Sequence, residues 1–290
     1  MPSTVAPAEW TRYAVAADHR VECLHAHYAD HVYDRHSHDG YAVGVTESGV
    51  QTFTCRGAAH ASTLGTVMAF NPDDPHDGQS GAAEGFTYRM IYIRPDAIRD
   101  VLEDANDGVR SAAGSRLPFF REPLIRDAAI ARAVIVLGRA LAERGTPALE
   151  RDAYVADLLV PLAMRYDAGR AGKAAAVLRG SSASAIERVR DFLHADLAAD
   201  ISADHLAVVA GLSRFHLARL FRQRYGLPPH AYRLQLRLAE AKRLLAAGEP
   251  AAEIAAATGF ADQSHLTKRF KGAFGITPGQ FARALTAAGR

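Results

Sequence analysis

The last third of the chain is built from an internal repeat, and that repeat limits what it can fold into. At a shift of 48 residues Leu206-Ala207 falls on Ile254-Ala255, and Gly211-Leu212 on Gly259-Phe260. After one inserted residue the shift is 49. Leu217 then falls on Leu266, Arg219 on Lys268, Phe221 on Phe270, Gly226 on Gly275, Pro229 on Pro278 and Tyr232 on Phe281. A repeat of this length is one supersecondary unit used twice. Each copy has the logic of a helix-turn-helix. A short helix over 204–210, and again over 253–258, offers Leu/Ile-Ala to a core. A glycine ends it, because the left-handed conformation is cheapest for glycine. Leu212 or Phe260 plugs the corner, and Ser213 or Asp262 supplies a side-chain oxygen to cap the next helix. That second helix buries Leu217, Leu220 and Phe221 in one copy, and Leu266 and Phe270 in the other. Its other face is polar and basic: Arg214, His216, Arg219 and Arg222, then Gln263, Ser264, Thr267 and Lys268. A DNA major groove accepts such a face. An ordinary helical hairpin explains one copy; matched corner glycines and matched basic positions in both favour DNA reading.

Charge agrees with this placement. The net charge is +2, but residues 1–180 carry 19 Lys and Arg against 23 Asp and Glu, whereas residues 181–290 carry 15 against 9. A basic terminal third on a mildly acidic body suggests a polyanion-binding module. Arg outnumbers Lys 30 to 4, so arginine richness alone decides little. With 290 residues and 49% apolar content the chain reads as two globular domains. Cys23 and Cys55 are too few for a disulfide framework or a four-thiolate zinc site, and they fit a reducing, cytoplasmic setting. The opening residues have no basic-then-apolar leader pattern. No apolar run reaches the roughly 18 residues of a membrane span.

The first part of the chain reads differently. Residues 41–48 and 50–56 are short β-branched and aromatic runs separated by Gly49. Residues 64–70 read as a turn and a strand, and 86–93 as a further strand. Asn71-Pro72-Asp73-Asp74-Pro75 is turn chemistry. Short strands at this spacing favour a sandwich or barrel. Residues 96–103, 127–142 and 148–166 have helical apolar spacing, and 167–184, rich in Gly, Ala and Ser, read as a linker. His25-x-His27 and His36-x-His38 have the two-residue period of a strand, so each pair shares a face there. With His76 they raise the question of a metal, since three imidazoles suit Zn²⁺ or Fe²⁺.

The C-terminal stretches LAVVAGLSRFHLARLFRQRYGLPPHAYRLQLRLAEAKRLL and IAAATGFADQSHLTKRFKGAFGITPGQFAR resemble the DNA-binding domain of AraC/XylS-type bacterial transcription regulators. The resemblance implies an all-α, seven-helix domain over 185–290 with two helix-turn-helix motifs, whose second helices enter successive major grooves of double-stranded DNA. Carried onto this sequence, the first reading helix offers Arg214, Phe215, His216, Ala218, Arg219 and Arg222. The second offers Gln263, Ser264, His265, Thr267 and Lys268. A bidentate pair from Arg219 to guanine and one from Gln263 to adenine are the expected base contacts. Phe215 reads either as a base contact or as packing at the helix start. Arg222, Arg224 and Lys271 are expected at phosphates, and His205 and His230 at the surface or in packing.

Arg35-His36-Ser37-His38-Asp39-Gly40-Tyr41, the strand pair around Gly49, and Gly65…Asn71-Pro72…Pro75-His76 resemble the cupin-like effector domain of the same family. The expected fold class is therefore α+β in two domains. A cupin-like β-barrel with trailing helices spans 1–166, a linker 167–184, and the helix-turn-helix domain 185–290. The resemblance implies a homodimer, a small-molecule effector held by Arg35, His36, His38, Tyr41, His76 and Tyr88, and contact with RNA polymerase. Enzyme cupins resemble His-x-His followed about four residues later by Glu. Tyr41, Ala42 and Val43 stand there instead, and Glu47 comes late. No metal, cofactor or catalytic residue is therefore expected. Two alternatives stay open: a cupin metalloenzyme fused to a DNA-binding domain, and a regulator whose barrel only dimerises.

Overall fold

The computed structural model describes residues 8–105, 117–143, 145–169, 181–199 and 201–288. The chain divides into two compact units, the second spanning Ala174–Ala282.

Among the described residues, nine strands and three helices make up the first unit. The strands are β1 (Trp10–Val15), β2 (Val21–Tyr28), β3 (Tyr33–His36), β4 (Tyr41–Cys55), β5 (Ala58–Thr63), β6 (Val67–Phe70), β7 (His76–Ser80), β8 (Phe86–Ile93) and β9 (Leu124–Ile125). The helices are α1 (Pro95–Ala105), α2 (Ala128–Ala142) and α3 (Ala148–Tyr166). Every strand pairing is antiparallel. One layer runs β1-β2-β8-β4-β6-β9; β5, β7 and β3 join through the far half of β4.

β4 is where expectation and structure differ. The sequence suggests two strands parted at Gly49, but the strand is continuous for 15 residues. Gly49 bends it instead of turning it: φ is +71°, and a Cβ there would stand 2.1 Å from the Gly85 carbonyl oxygen. Its pairing with β8 slips between Thr46 and Ser48. Before the bend β4 pairs with β6 and β8; beyond it, with β5 and β7. One strand thus serves both layers, as a bulge allows.

Alternation along the strands sorts the side chains into two cores. Val21, Cys23, Tyr41, Val43, Val45, Ile91 and Ile93 face Ile130, Val134 and Leu137 of α2 and Leu158, Leu159 and Leu162 of α3. Asp127 caps α2, accepting from the N–H groups of Ala129 and Ile130. The opposite face turns an aromatic set between the layers. Phe53 meets Phe70 edge to face, and the Tyr33 and Tyr88 hydroxyls lie 2.5 Å apart.

Six helices and the first part of a seventh make up the second unit among the described residues: α4 (Ser181–Ala195), α5 (Ala203–Ala210), α6 (Arg214–Tyr225), α7 (Pro229–Ala246), α8 (Ala251–Ala257), α9 (Gln263–Phe274) and the start of α10 (Pro278–Ala288). α4 starts inside the stretch expected to be linker. Residues 170–180 of that stretch lie outside the described residues. Asp167, at its start, accepts from the backbone N–H of Phe119 and of Gly169. Ile186, Val189, Leu193, Leu206, Leu217 and Phe221 form the first helix-turn-helix core. Ile254, Phe260, Leu266, Phe270 and Phe281 are buried around the second.

Candidate functional site

The two corners are built alike. Ser202 caps α5, and Ser213 caps α6 by accepting from the His216 N–H at 3.3 Å. Asp262 caps α9, accepting from the His265 N–H at 2.7 Å. Gly211 and Gly259 end the leading helices with φ of +67° and +73°. A Cβ at Gly211 would meet nothing within 4 Å, so its glycine answers backbone conformation alone. A Cβ at Gly259 would lie 2.5 Å from Arg237 Nη2 and 2.9 Å from Ala198 Cα.

Capped this way, α6 and α9 present matching stripes. Phe215, Arg219 and Arg222 are exposed on α6, spaced four and three residues apart, and Ser264, Lys268 and Lys271 are exposed at the equivalent places on α9. Each stripe lies along one helix face. Arg214, His216, Gln263 and Lys268 are exposed, and Ala218 and Thr267 half-buried. Phe215 is 85% exposed, so it does not pack at the helix start. Arg214 pairs with Asp204 at 3.2 Å and Arg224 with Glu187 at 3.3 Å, both at the surface. His265 is half-buried, its ring edge-on to Phe260 and within 3.5 Å of the Arg269 Nε donor. It therefore helps close the corner, which Phe260 alone was expected to do.

The residues expected at the effector site do not all meet. His36, His38 and His76 converge, with one ligand nitrogen of each lying within 4.8 Å of the others. His36 and His76 are cross-strand partners on β3 and β7. Tyr88 shares the interior but is tied to Tyr33. Arg35, half-buried, acts by its charge on His76. Tyr41 is elsewhere: the period of two turns it to the helix-bearing face, where it donates to the Pro118 carbonyl at 2.6 Å and meets Phe120. Tyr92 and Phe70 are additions. Tyr92 stands 4.9 Å from the His38 ring, and Phe70 stacks on His76 at 4.0 Å and 4°. His25 and His27 take no part in this group. His25 lies beside Glu47 and Arg89, and His27 pairs with Thr87 at 3.0 Å.

Burial controls protonation here. It pushes His36 down to about 3, helped by the neighbouring His76, and His76 down to about 4, so both are neutral imidazoles at neutral pH. Tyr33 and Tyr88 are pushed up by burial and stay phenols. Glu47 is held down, first by its hydrogen bond with His25 and then by Arg89, against the effect of burial. The two cysteines are buried, with thiols pushed up to about 12 and about 11, and neither is a ready nucleophile.

Comparison with known proteins gives this geometry its family. The chain matches the model of the AraC-like ligand binding domain over residues 19–159 and that of a helix-turn-helix domain over 206–284. It is 28% identical over 235 residues to the HTH-type transcriptional regulator YbfI of Bacillus subtilis, covering 81% of each protein. It is 33% identical over 81 residues to the HTH-type transcriptional regulator MtrA of Neisseria gonorrhoeae, a match spanning 28% of this chain and 27% of that one. ToxT from Vibrio cholerae, solved with a bound unsaturated fatty acid, aligns over the whole of both chains at a TM-score of 0.51 and 12% identity, a likeness of fold. The chain belongs to the AraC-type family of helix-turn-helix transcription regulators. That family consists of DNA-binding transcription regulators, and this member pairs a ligand-binding unit with a helix-turn-helix one. No helix among the described residues is long and apolar enough to cross a membrane.

Proposed function

We propose that this regulator reads DNA through the two stripes on α6 and α9 and answers to a small molecule held in its first unit. The observation that carries the reading is the pair of capped helices with exposed basic residues at equivalent places, Arg219 on α6 and Lys268 on α9. Arg219 pairs with guanine and Gln263 with adenine; Arg214, His216, Ser264 and Thr267 complete the polar edge. Phe215 and Ala218 offer apolar contact to thymine methyl groups. Arg222, Arg224 and Lys271 meet phosphates, which position the protein without specifying sequence. The two helices reach successive major-groove segments about 34 Å apart. The chain acts as a cytoplasmic homodimer through its first unit. Bound regulator contacts RNA polymerase.

Genomic fragment binding by the purified protein tests the reading, beside an Arg219→Ala/Lys268→Ala variant, at two salt concentrations. Selective binding near 10⁻⁸ M (order of magnitude for specific complexes) that the variant loses is the expected result. Uniform, steeply salt-dependent binding by both proteins, the behaviour of phosphate attraction alone, would refute it.

A further inference from the structure

The three imidazoles converge on one place in the first unit. His36 and His38 come from the end of β3 and the turn after it, His76 from the start of β7, and their rings lie 4.6–5.2 Å apart, centre to centre. Two of them are fixed in the same way. His36 Nδ1 is 2.7 Å from the Asp34 carbonyl oxygen and His76 Nδ1 is 2.8 Å from the Asp74 carbonyl oxygen, each two residues back. A carbonyl only accepts, so each Nδ1 carries the proton and each Nε2 keeps its lone pair. An outer hydrogen bond of this kind sets the tautomer of a metal-bound histidine. Phe70 stacks on the face of the His76 ring and holds its plane.

We propose that His36, His38 and His76 form a binding site for one divalent transition-metal ion of the Zn²⁺, Co²⁺ or Ni²⁺ type. Neutral imidazoles without thiolate suit this class and not Mg²⁺ or Ca²⁺. An ion held at about 2.0–2.1 Å from each nitrogen needs ligand atoms about 3.4 Å apart in tetrahedral geometry. The atoms now lie within 4.8 Å, so binding draws the ligands closer together, and His38, the half-buried one of the three, is the one expected to move. Asp34 and Asp77 act on His36 and favour a cation there, while Arg35 acts on His76 in the opposite sense. Three protein ligands leave coordination positions for water or for an oxygen or nitrogen atom of an effector, beside the Tyr92 ring. The site deepens the assignment of the first unit as the ligand-binding unit and depends on it.

The test uses tag-free, full-length protein dialysed against chelator and titrated with Co²⁺, then Zn²⁺. Wild-type protein should take up one equivalent of Co²⁺ with the intense visible absorption of a four- or five-coordinate imidazole site, and Zn²⁺ should displace it. Loss of even an outer-shell partner costs about 10–100-fold in affinity. His38→Ala should therefore weaken binding by more than about 100-fold, while its Tm in chelator stays that of the wild type. His36→Gln serves as a second variant and should lose the same absorption. A weak, octahedral Co²⁺ spectrum from the wild type, or equal affinity in His38→Ala, would overturn the proposal. The same preparations are assayed on genomic DNA fragments. Selective DNA binding without metal uptake ends the metal site and leaves the regulator reading intact. Metal uptake without DNA selectivity does the reverse.

Discussion

Replacing Gly259 with alanine separates two reasons for a corner glycine, and Gly211→Ala is the built-in control. Both residues are left-handed, and an alanine in that conformation is strained by roughly 1–2 kcal/mol. Reduced freedom of the unfolded chain offsets about 0.4–1 kcal/mol of this. At Gly211 that is the whole effect, because a Cβ would touch nothing within 4 Å. At Gly259 the new Cβ would lie 2.8 Å from Arg237 Cζ as well as 2.9 Å from Ala198 Cα. Arg237 cannot simply swing aside, because its Nε donates to the Leu197 carbonyl at 2.7 Å and its Nη2 to that of Ala199 at 3.4 Å. Giving up a hydrogen bond from a charged donor costs about 1.5–3 kcal/mol. Gly211→Ala should therefore cost about 1 kcal/mol or less, and Gly259→Ala about 2–4 kcal/mol. Calorimetry of the full chain, followed at the transition of the second unit, reads the difference. A unit of this size loses about 4–8 °C of Tm per kcal/mol. In an Arg237→Ala background, Gly259→Ala should cost at least about 1 kcal/mol less than in the wild type, a coupling that only neighbours show. Equal Tm shifts for the two glycine variants, with strict additivity in the Arg237→Ala background, would refute the crowding argument.

Other expectations are as direct. Arg219→Ala should weaken binding to the preferred fragment by about 1–3 kcal/mol and relax one base position, whereas Arg222→Ala should weaken all sequences alike and lower the salt slope by about 1; a footprint series at several salt concentrations distinguishes them. Asp262→Ala removes the α9 cap and should cost about 0.5–2 kcal/mol, seen as faster hydrogen exchange at His265 and its neighbours. His36 and His76 titrate near 3 and 4 when folded but near 6.5 when unfolded, so the unfolded chain binds more protons between those values. Their stabilising contribution is complete above about pH 6.5 and is lost progressively as pH falls toward 4 and then 3. In chelator, the Tm of the first unit should fall over that window and fall less in His76→Gln; identical pH profiles for the two proteins would count against it.

The second unit was the more legible. Repeated apolar spacing, corner glycines and cap residues are local properties, and both caps stand where the sequence suggests them. The first unit depended on long-range pairing that no window of sequence contains. Gly49 looks like a turn until Gly85 is seen against it, and only the register of β4 with β8 shows that the strand runs on. The same blindness put Tyr41 in the effector site, since the facing of a strand is invisible until its register is known. His36 and His76 were visible as residues but not as neighbours; their meeting is a cross-strand event between positions forty residues apart. Phe215 was ambiguous in sequence because an aromatic at a helix start serves either packing or recognition, and its exposure removes the first.

The continuous strand β4 also has a mechanical meaning. Its near half lies under α2 and α3, and at its far end Cys55 faces His76 across the pairing with β7. A bent but unbroken strand is a lever with its fulcrum at Gly49, and hydrogen-bonded rungs on both arms leave it little slack. A load applied at the histidines is therefore carried along covalent backbone to the sheet face that α2 and α3 rest on, without any loop to absorb it.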